Sequence, residues 1–273
     1  MNHIKKYLKR SPVLFRVAKH LYNFLEPLTI PLEFLRYKAN LILGRPYFGK
    51  IFLAGQLWQN REPLMRSLIE NEIKDKTNSN FNILEIGSWA GGSAILWATT
   101  LQKHKRDGMV YCIDHWEGGE GAPKAMKRAV KGDKIFKLFL HNIRISGVRD
   151  RVVILRGTSD SIAPTFVENF FDFVYVDGDH SYSQFRRDLL GFKKLVKVGG
   201  VLCGDDFELE LSKVDASYAK EHKESDTIID PRTGKGFHPG ISVALHEIFG
   251  GVSSREGFWA IRRTADGWEF IDL

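Results

Sequence analysis

Between Phe81 and Asp206, short apolar runs rich in β-branched residues alternate with helix-patterned stretches, and nothing else in the chain restricts its fold so tightly. "FNILEI" reads as a strand, "GGSAILWATTL" as a helix and "MVYCID" as a second strand. The helix "DKIFKLFLHNIRI" leads to the strand "RVVILR", and a short helix, "SIAPTFVENF", precedes the strand "FDFVYVD". Ser181 and Gln184 have capping-box spacing for the next helix, whose stripe is Phe185, Leu189, Phe192 and Val196. Lys193, Lys194 and Lys197 fall in its last turn, with Gly199 just beyond. "GVLCGDD" is the fifth strand; a polar insertion, a helix near "SVALHEIF" and two closing strands, "FWAIRR" and "WEFIDL", follow. Such alternation predicts an α/β fold, a doubly wound, mainly parallel sheet covered on both faces. Ligands of such sheets sit beyond the carboxyl ends of the strands, near the switch in strand order.

The 273 residues suit one α/β domain plus an extension. The polar cluster "KTNSN" divides a helical extension, residues 1–79, from the main domain, residues 80–273. Helices are expected over "PLEFLRYKANLIL" and from Glu62 to Lys74. The net charge of +7 belongs to the extension, because residues 1–50 hold ten Lys/Arg against two Glu. A main domain without a basic face argues against nucleic acid as a partner. Ser11, Pro12 and the stripe Leu14, Val17, Ala18, Leu21, Phe24 and Leu25 describe an amphipathic helix with Lys5, Lys6, Lys9 and Arg10 before it. Residues 1–50 thus suit peripheral contact with an anionic membrane, or packing on the main domain or on a second subunit of a homo-oligomer. Arg16, Lys19 and His20 break the best candidate for a membrane span, so the expected location is cytoplasmic. Cys112 and Cys203 lie inside strand-like runs without metal-type spacing and read as buried, reduced thiols.

The loop "LEIGSWAGGSA" joins the first strand to the first helix. Gly87 permits a sharp turn, while Gly91 and Gly92 let a ligand approach the backbone. The spacing is not the G-x-G-x-x-G of dinucleotide binders, which disfavours an NAD-dependent oxidoreductase. Glu85 at the strand tip is a poor neighbour for a pyrophosphate and a good one for a cationic ligand. Asp114 can accept hydrogen bonds from two ribose hydroxyls, and Gly157, Thr158, Ser159 and Asp160 in "RGTSDS" can flank an adenine edge. Ribose and adenine contacts beside a carboxylate suggest S-adenosylmethionine; an ordinary glycine-rich turn with two exposed carboxylates is the simpler alternative.

Residues 80–273 resemble the class I S-adenosylmethionine-dependent methyltransferases, a Rossmann-like fold. "LEIGSWAGGSAI" is similar to the first motif of the catechol and caffeoyl-CoA O-methyltransferases, and "LRGTSDSIAP" to their adenine-side loop. The resemblance implies a seven-stranded sheet in the order 3-2-1-4-5-7-6, its seventh strand antiparallel. It also implies a cofactor pocket lined by Glu85, Gly87, Ser93, Asp114, Ser159 and Asp160.

The run "VYVDGDHSY" ends a core strand in Asp177, Asp179 and His180, and "GDDF" ends the next in Asp205 and Asp206. If those strands are neighbours, Asp177, Asp205 and Asp206 repel one another, and a cation neutralises them economically. Oxygen-only ligands favour Mg²⁺. The metal-dependent O-methyltransferases carry Asp at those positions, and "YVDGDHSY…DLLGF…VGGVLCGDDF" resembles the sugar O-methyltransferases of macrolide and aminocoumarin biosynthesis. His180 is the expected base, with Asp179 second; turn chemistry is the plain alternative for "DGDH". The charged stretch between Phe207 and Gly240 reads as a lid over the acceptor, and His238 near its end as a second acid–base candidate or, more simply, a solvated loop histidine. These readings converge on methylation of a hydroxyl on a sugar or other small metabolite. The alternatives are a metal-independent enzyme with His180 as base and a non-catalytic, membrane-docked binding protein of the same fold.

Overall fold

Five parallel strands carry out the alternation: β1 (Ile83–Ile86), β2 (Val110–Asp114), β3 (Val152–Arg156), β4 (Phe171–Val176) and β5 (Val196–Gly204). They appear in a computed structural model that describes residues 30–52, 61–75, 80–119 and 124–273. Their order is β3-β2-β1-β4-β5, so the chain reverses direction across the sheet between β1 and β4. Helices link them: α1 over 30–42, α2 (Glu62–Asp75), α3 (Gly92–Lys103), α4 (Lys124–Val130), α5 (Lys134–Ile145), α6 (Ser159–Ile162) and α7 (Tyr182–Phe192). Beyond β5 come a small hairpin, β6 (Ile228–Ile229) and β7 (Gly236–Phe237), with α8 (Ala216–Glu221) before it and α9 (Pro239–Phe249) after it.

Period-two alternation along β1 and β4 divides the interior. Ile83, Phe173 and Tyr175 face one cluster with Trp97 and Leu101 of α3 and Phe139 of α5; Leu84, Ile86, Val174 and Val176 face another with Phe185 and Leu189 of α7. Each such side chain, removed from water, contributes about 1.5–3 kcal/mol. α2 belongs to the first cluster through Met65, Leu68, Ile69 and Ile73. Glu72 on that helix is buried and accepts from both Nη atoms of Arg262, at 2.8 and 2.5 Å. Cys112 and Cys203 are buried, free thiols. The amphipathic stretch from Ser11 to Leu25 lies outside the described residues, as does most of "KTNSN". Among the described residues no helix is long and apolar enough to cross a membrane.

Two expectations, the closing strand order and the capping box, are corrected, and the insertion takes a defined form. The antiparallel strand on β5 is β9 (Phe258–Arg263), the first closing strand, while β10 (Trp268–Phe270) pairs with β9 on its outer edge. β8 (Ser254–Arg255) pairs with β9 on that same edge, so two short pieces hold the place expected of one full strand. The insertion after β5 is folded, with Leu211, Val214, Ala219, Phe237 and Val243 as its own apolar cluster. Asp230, fully buried, ties it by accepting from the amides of Asp215 and Thr233 at 2.8 and 2.7 Å. The Ser181–Gln184 capping box does not form: Ser181 makes no side-chain cap, and Gln184 donates to Ser159 and Asp188 instead. Glu224 from the insertion accepts from the Ser183 amide at 3.1 Å and does the capping from a distance in sequence.

Candidate active site

Two groups of side chains meet at the carboxyl ends of the strands. The first surrounds the β1–α3 loop. Gly87 has φ +90°, and a Cβ there would stand 1.9 Å from the Asp177 carbonyl oxygen, so only glycine lets this turn lie against the end of β4. Gly91, at φ +83°, packs against the Phe139 ring. Glu85 does not open toward a ligand. It is fully buried beneath the loop and accepts from Ser88 at 3.0 Å, from Ser93 and from the Cys112 thiol. Burial raises its pKa to about 7 against the opposing pull of those hydrogen bonds. Ser93 is 3 % exposed and shares that role, so both residues shape the loop from below.

Asp114 ends β2. Its Oδ2 accepts from the Trp89 amide at 2.8 Å and its Oδ1 from the Trp116 amide at 2.6 Å. Both tryptophans take left-handed backbone, φ 40° and 55°, to point those amides at it. Each carboxylate oxygen keeps a second lone pair, so a rigidly held diol acceptor results, the chemistry a ribose requires. Trp116 is a packing residue, buried against Phe136 and Phe139, and its indole donates to the Trp89 carbonyl at 2.8 Å. After β3, Thr158 caps α6 through the Ser161 amide. Ser159 donates to the buried Asp188 at 2.5 Å, and Asp160 pairs with Arg187 at 3.2 Å. Those two side chains thus face α7, while the backbone at Gly157 stays tied to Asp114 by an amide–carbonyl bond of 3.0 Å.

The second group stands at the ends of β4 and β5. Val176 pairs with Gly204, which sets Asp177 beside Asp205 as the strand reading requires. Asp177 is held well above the usual carboxylate range by burial and by the charges of Asp206 and Asp205. Tyr175 donates to it at 3.2 Å. Asp205 is raised to about 6 by burial and by Asp206, against the pull of Arg61. Asp206 goes the other way. Burial would raise it, but His180 and Arg61 overcome that and hold it below the usual range. Its backbone is left-handed at φ 60°, a conformation uncommon for any residue but glycine.

The neutralising cation within this structure is Arg61, immediately before α2. Its Nη1 lies 2.5 Å from Asp205 Oδ2 and 2.8 Å from Asp206 Oδ1, and its Nε donates to the Glu256 carbonyl. His180 Nε2 faces the other oxygen of Asp206 at 3.2 Å, and its Nδ1 lies 2.8 Å from Asp226. Burial lowers the His180 pKa, but Asp206 and Asp226 raise it further, to about 10. In this arrangement it holds its proton at neutral pH. Asp179 accepts from the Ser181 amide at 2.7 Å and so performs turn chemistry.

His238 is not a solvated loop residue. Its side chain is 15 % exposed, its Nδ1 is 3.0 Å from Glu208, and its ring centroid is 4.5 Å from that of His180. Gly240 makes this contact possible, since a Cβ there would stand 2.4 Å from the His180 carbonyl oxygen. Among the described residues the metal-type donors that lie within 4.8 Å of one another are those of His180, Asp206 and His238, not those of Asp177, Asp205 and Asp206. Arg61, Glu208 and Asp226 were not anticipated from the sequence. Only Glu208, two positions after Asp206, offered a local signal.

Residues 84–207 match a family profile described as "Methyltransferase domain". Among solved structures, the O-methyltransferase NovP is similar over 75% of this chain and 79% of its own, with 20% identity and a TM-score of 0.51. The O-methyltransferase TomG from Streptomyces achromogenes, involved in tomaymycin synthesis and solved with S-adenosylmethionine, covers 75% of this chain and 80% of its own at 18% identity and a TM-score of 0.50. Those two likenesses concern the fold. From β1 to the turn after β5, the chain matches the methyltransferase-domain family, and its sheet and helices have the class I methyltransferase fold.

Proposed function

We propose that this chain moves the methyl group of S-adenosylmethionine to a hydroxyl oxygen of a sugar or similarly small metabolite. One observation carries the reading: β4 and β5 end in a half-buried cluster of Asp177, Asp205, Asp206 and His180 beneath the folded insertion. A hydroxyl must lose a proton as its oxygen attacks the sulfonium methyl, and carboxylates and imidazoles are the groups that receive or hold such a proton. O-methylation is also the activity named for the two solved relatives of this fold.

S-adenosylmethionine suits the residues present. Asp114 is fixed for a diol, glycines give the β1–α3 loop its tight turn, and no pyrophosphate needs a place beside the buried Glu85. The acceptor would then lie over β4 and β5, with the insertion excluding water from the transfer. In the metal-free enzyme His180 serves as base once its own proton has passed to solvent by way of Asp226, its partner, 78 % exposed at the side chain; a metal-bound His180 would give up that role.

A divalent cation belongs to this reading, since it would orient the acceptor hydroxyl and lower its pKa. The three carboxylates alone do not fit one as they stand. Arg61 already bridges Asp205 and Asp206, and a second cation between them would meet its positive charge. No step is therefore routed through an ion on those three groups.

The test is calorimetry with S-adenosylmethionine followed by a methyl-transfer assay against panels of sugars, phenols and amines. Micromolar cofactor binding, lost in Asp114→Ala, and products methylated on oxygen are expected. Absence of cofactor binding, or methyl found on nitrogen, would overturn the proposal.

A further inference from the structure

The acceptor side departs from an oxygen-only cation site in one specific way: two imidazoles converge on it. We propose that His180, Asp206 and His238 form a binding site for one divalent transition-metal ion, with Asp226 and Glu208 as its outer carboxylates. The inference rests on the cation reading of the acceptor side and names different ligands for it.

Four observations carry it. First, the donor atoms of His180, Asp206 and His238 lie within 4.8 Å of one another, close enough for one ion. Second, each imidazole has its Nδ1 against a carboxylate oxygen, His180 on Asp226 at 2.8 Å and His238 on Glu208 at 3.0 Å. That pairing fixes each ring by the outer support that metal-bound histidines ordinarily have, and a metal would take Nε2 from its present partner, Asp206 Oδ2 at 3.2 Å for His180 and Thr227 Oγ1 at 3.2 Å for His238. Third, Asp206 divides its oxygens: Oδ1 belongs to Arg61, while Oδ2 faces His180 Nε2 at 3.2 Å. Arg61 and a metal therefore take different sides of one carboxylate. Fourth, Asp206 sits on left-handed backbone, φ 60°, strain of the kind that collects at ligand-binding sites.

The donor chemistry selects the ion. Imidazole nitrogens with one carboxylate suit Zn²⁺, Co²⁺, Mn²⁺ or Fe²⁺ better than Mg²⁺, which prefers oxygen throughout. The topology adds a consequence. His180 comes from the end of β4 and Asp206 from the end of β5, whereas His238, Asp226 and Glu208 all belong to the insertion that follows β5. A bound ion would therefore pin that insertion to the strand tips, so metal binding and protection of the insertion should rise together.

The experiment uses the full chain, stripped with a chelator, dialysed and titrated with Co²⁺ under visible absorption and calorimetry. Binding of one Co²⁺ per chain with visible d–d bands is expected, undisturbed by about a hundredfold excess of Mg²⁺. His238→Ala should weaken binding by about 100-fold and Asp226→Asn by about 10- to 100-fold, while Asp177→Asn changes it by less than about threefold. His238→Gln, which keeps a hydrogen bond available to Glu208, reads the same loss should the alanine variant fail to fold. Limited proteolysis should cut residues 207–238 more slowly with Co²⁺ than without. Absence of a Co²⁺ spectrum overturns the proposal. So does binding that survives His238→Ala and vanishes in Asp177→Asn, the pattern of a three-carboxylate site. S-adenosylmethionine binding is measured on the same samples. Its loss with the Co²⁺ spectrum intact would sink the methyl-transfer reading and leave the metal site standing.

Discussion

The two halves of the site solve opposite problems. At the tips of β1 and β2, the polar groups are satisfied within the one stretch from Glu85 to Trp116: Glu85 by Ser88 and Ser93, Asp114 by the amides of Trp89 and Trp116. At the tips of β4 and β5, charge is balanced by residues remote in sequence. Arg61 reaches Asp206 across 145 positions, and Asp226 reaches His180 across 46. The first half is a rigid loop built from local chemistry. The second is an electrostatic cluster that exists only when the extension, the sheet and the insertion are all docked.

The sharpest way to break the local half is Gly87→Ala. Its Cβ would collide with the Asp177 carbonyl oxygen at 1.9 Å, on a backbone at φ +90°. Positive φ alone costs about 1–3 kcal/mol, and with the backbone clash a loss of at least about 4 kcal/mol is expected. Urea denaturation reads it, and S-adenosylmethionine affinity should fall with it. A variant as stable as the parent would mean that the loop does not rest on β4.

Arg61→Ala tests the remote half. It removes the guanidinium from two carboxylates whose side chains are only 11 % and 21 % exposed. Breaking a buried pair costs about 3–5 kcal/mol; with Arg61 itself 19 % exposed, about 2–4 kcal/mol is expected at pH 7. The deficit should shrink as pH falls below about 6, where Asp205 takes up a proton and needs its partner less. A deficit that is independent of pH would show that Arg61 acts through packing and not through charge.

The same contrast explains what the sequence made legible. The strand–helix alternation and the β4–β5 register that places Asp177 beside Asp205 follow from periodicity, which each segment carries within itself. The capping box failed because Gln184 found a better partner in Asp188 and because Glu224 capped α7 from the insertion. His238 was misjudged for a similar reason. Nothing near it in sequence reports that Glu208 and His180 will enclose it. Arg61 was invisible because it lies outside the alternating domain, just before a helix whose sequence says nothing of contact with the strand tips.

Glu85→Gln sharpens the local half with a smaller, pH-dependent effect. Burial raises the folded-state pKa of Glu85 from 4.5 to about 7. A raised acid favours the folded state while it is protonated, so its stabilisation is complete below about pH 4.5 and is lost as pH rises through about 7. At about 1.4 kcal/mol per pKa unit, the parent should lose about 3 kcal/mol over that interval relative to the variant, which has no proton to release. Parallel stability curves for the two proteins would mean that Glu85 is already solvated, against its place beneath the loop.

Ser181 supplies the weakest and most discriminating case. Its residue type and spacing name it the helix cap, yet its hydroxyl makes no cap bond, while Glu224 accepts from both the amide and the hydroxyl of Ser183. Ser181→Ala should therefore change stability by no more than about 0.5 kcal/mol, the range of an uninvolved surface site. Glu224→Ala should cost about 1 kcal/mol, the usual value of a lost cap. The order matters more than either magnitude. If serine outweighed glutamate, α7 would be capped within its own sequence, and the insertion would rest on the sheet without helping to build it.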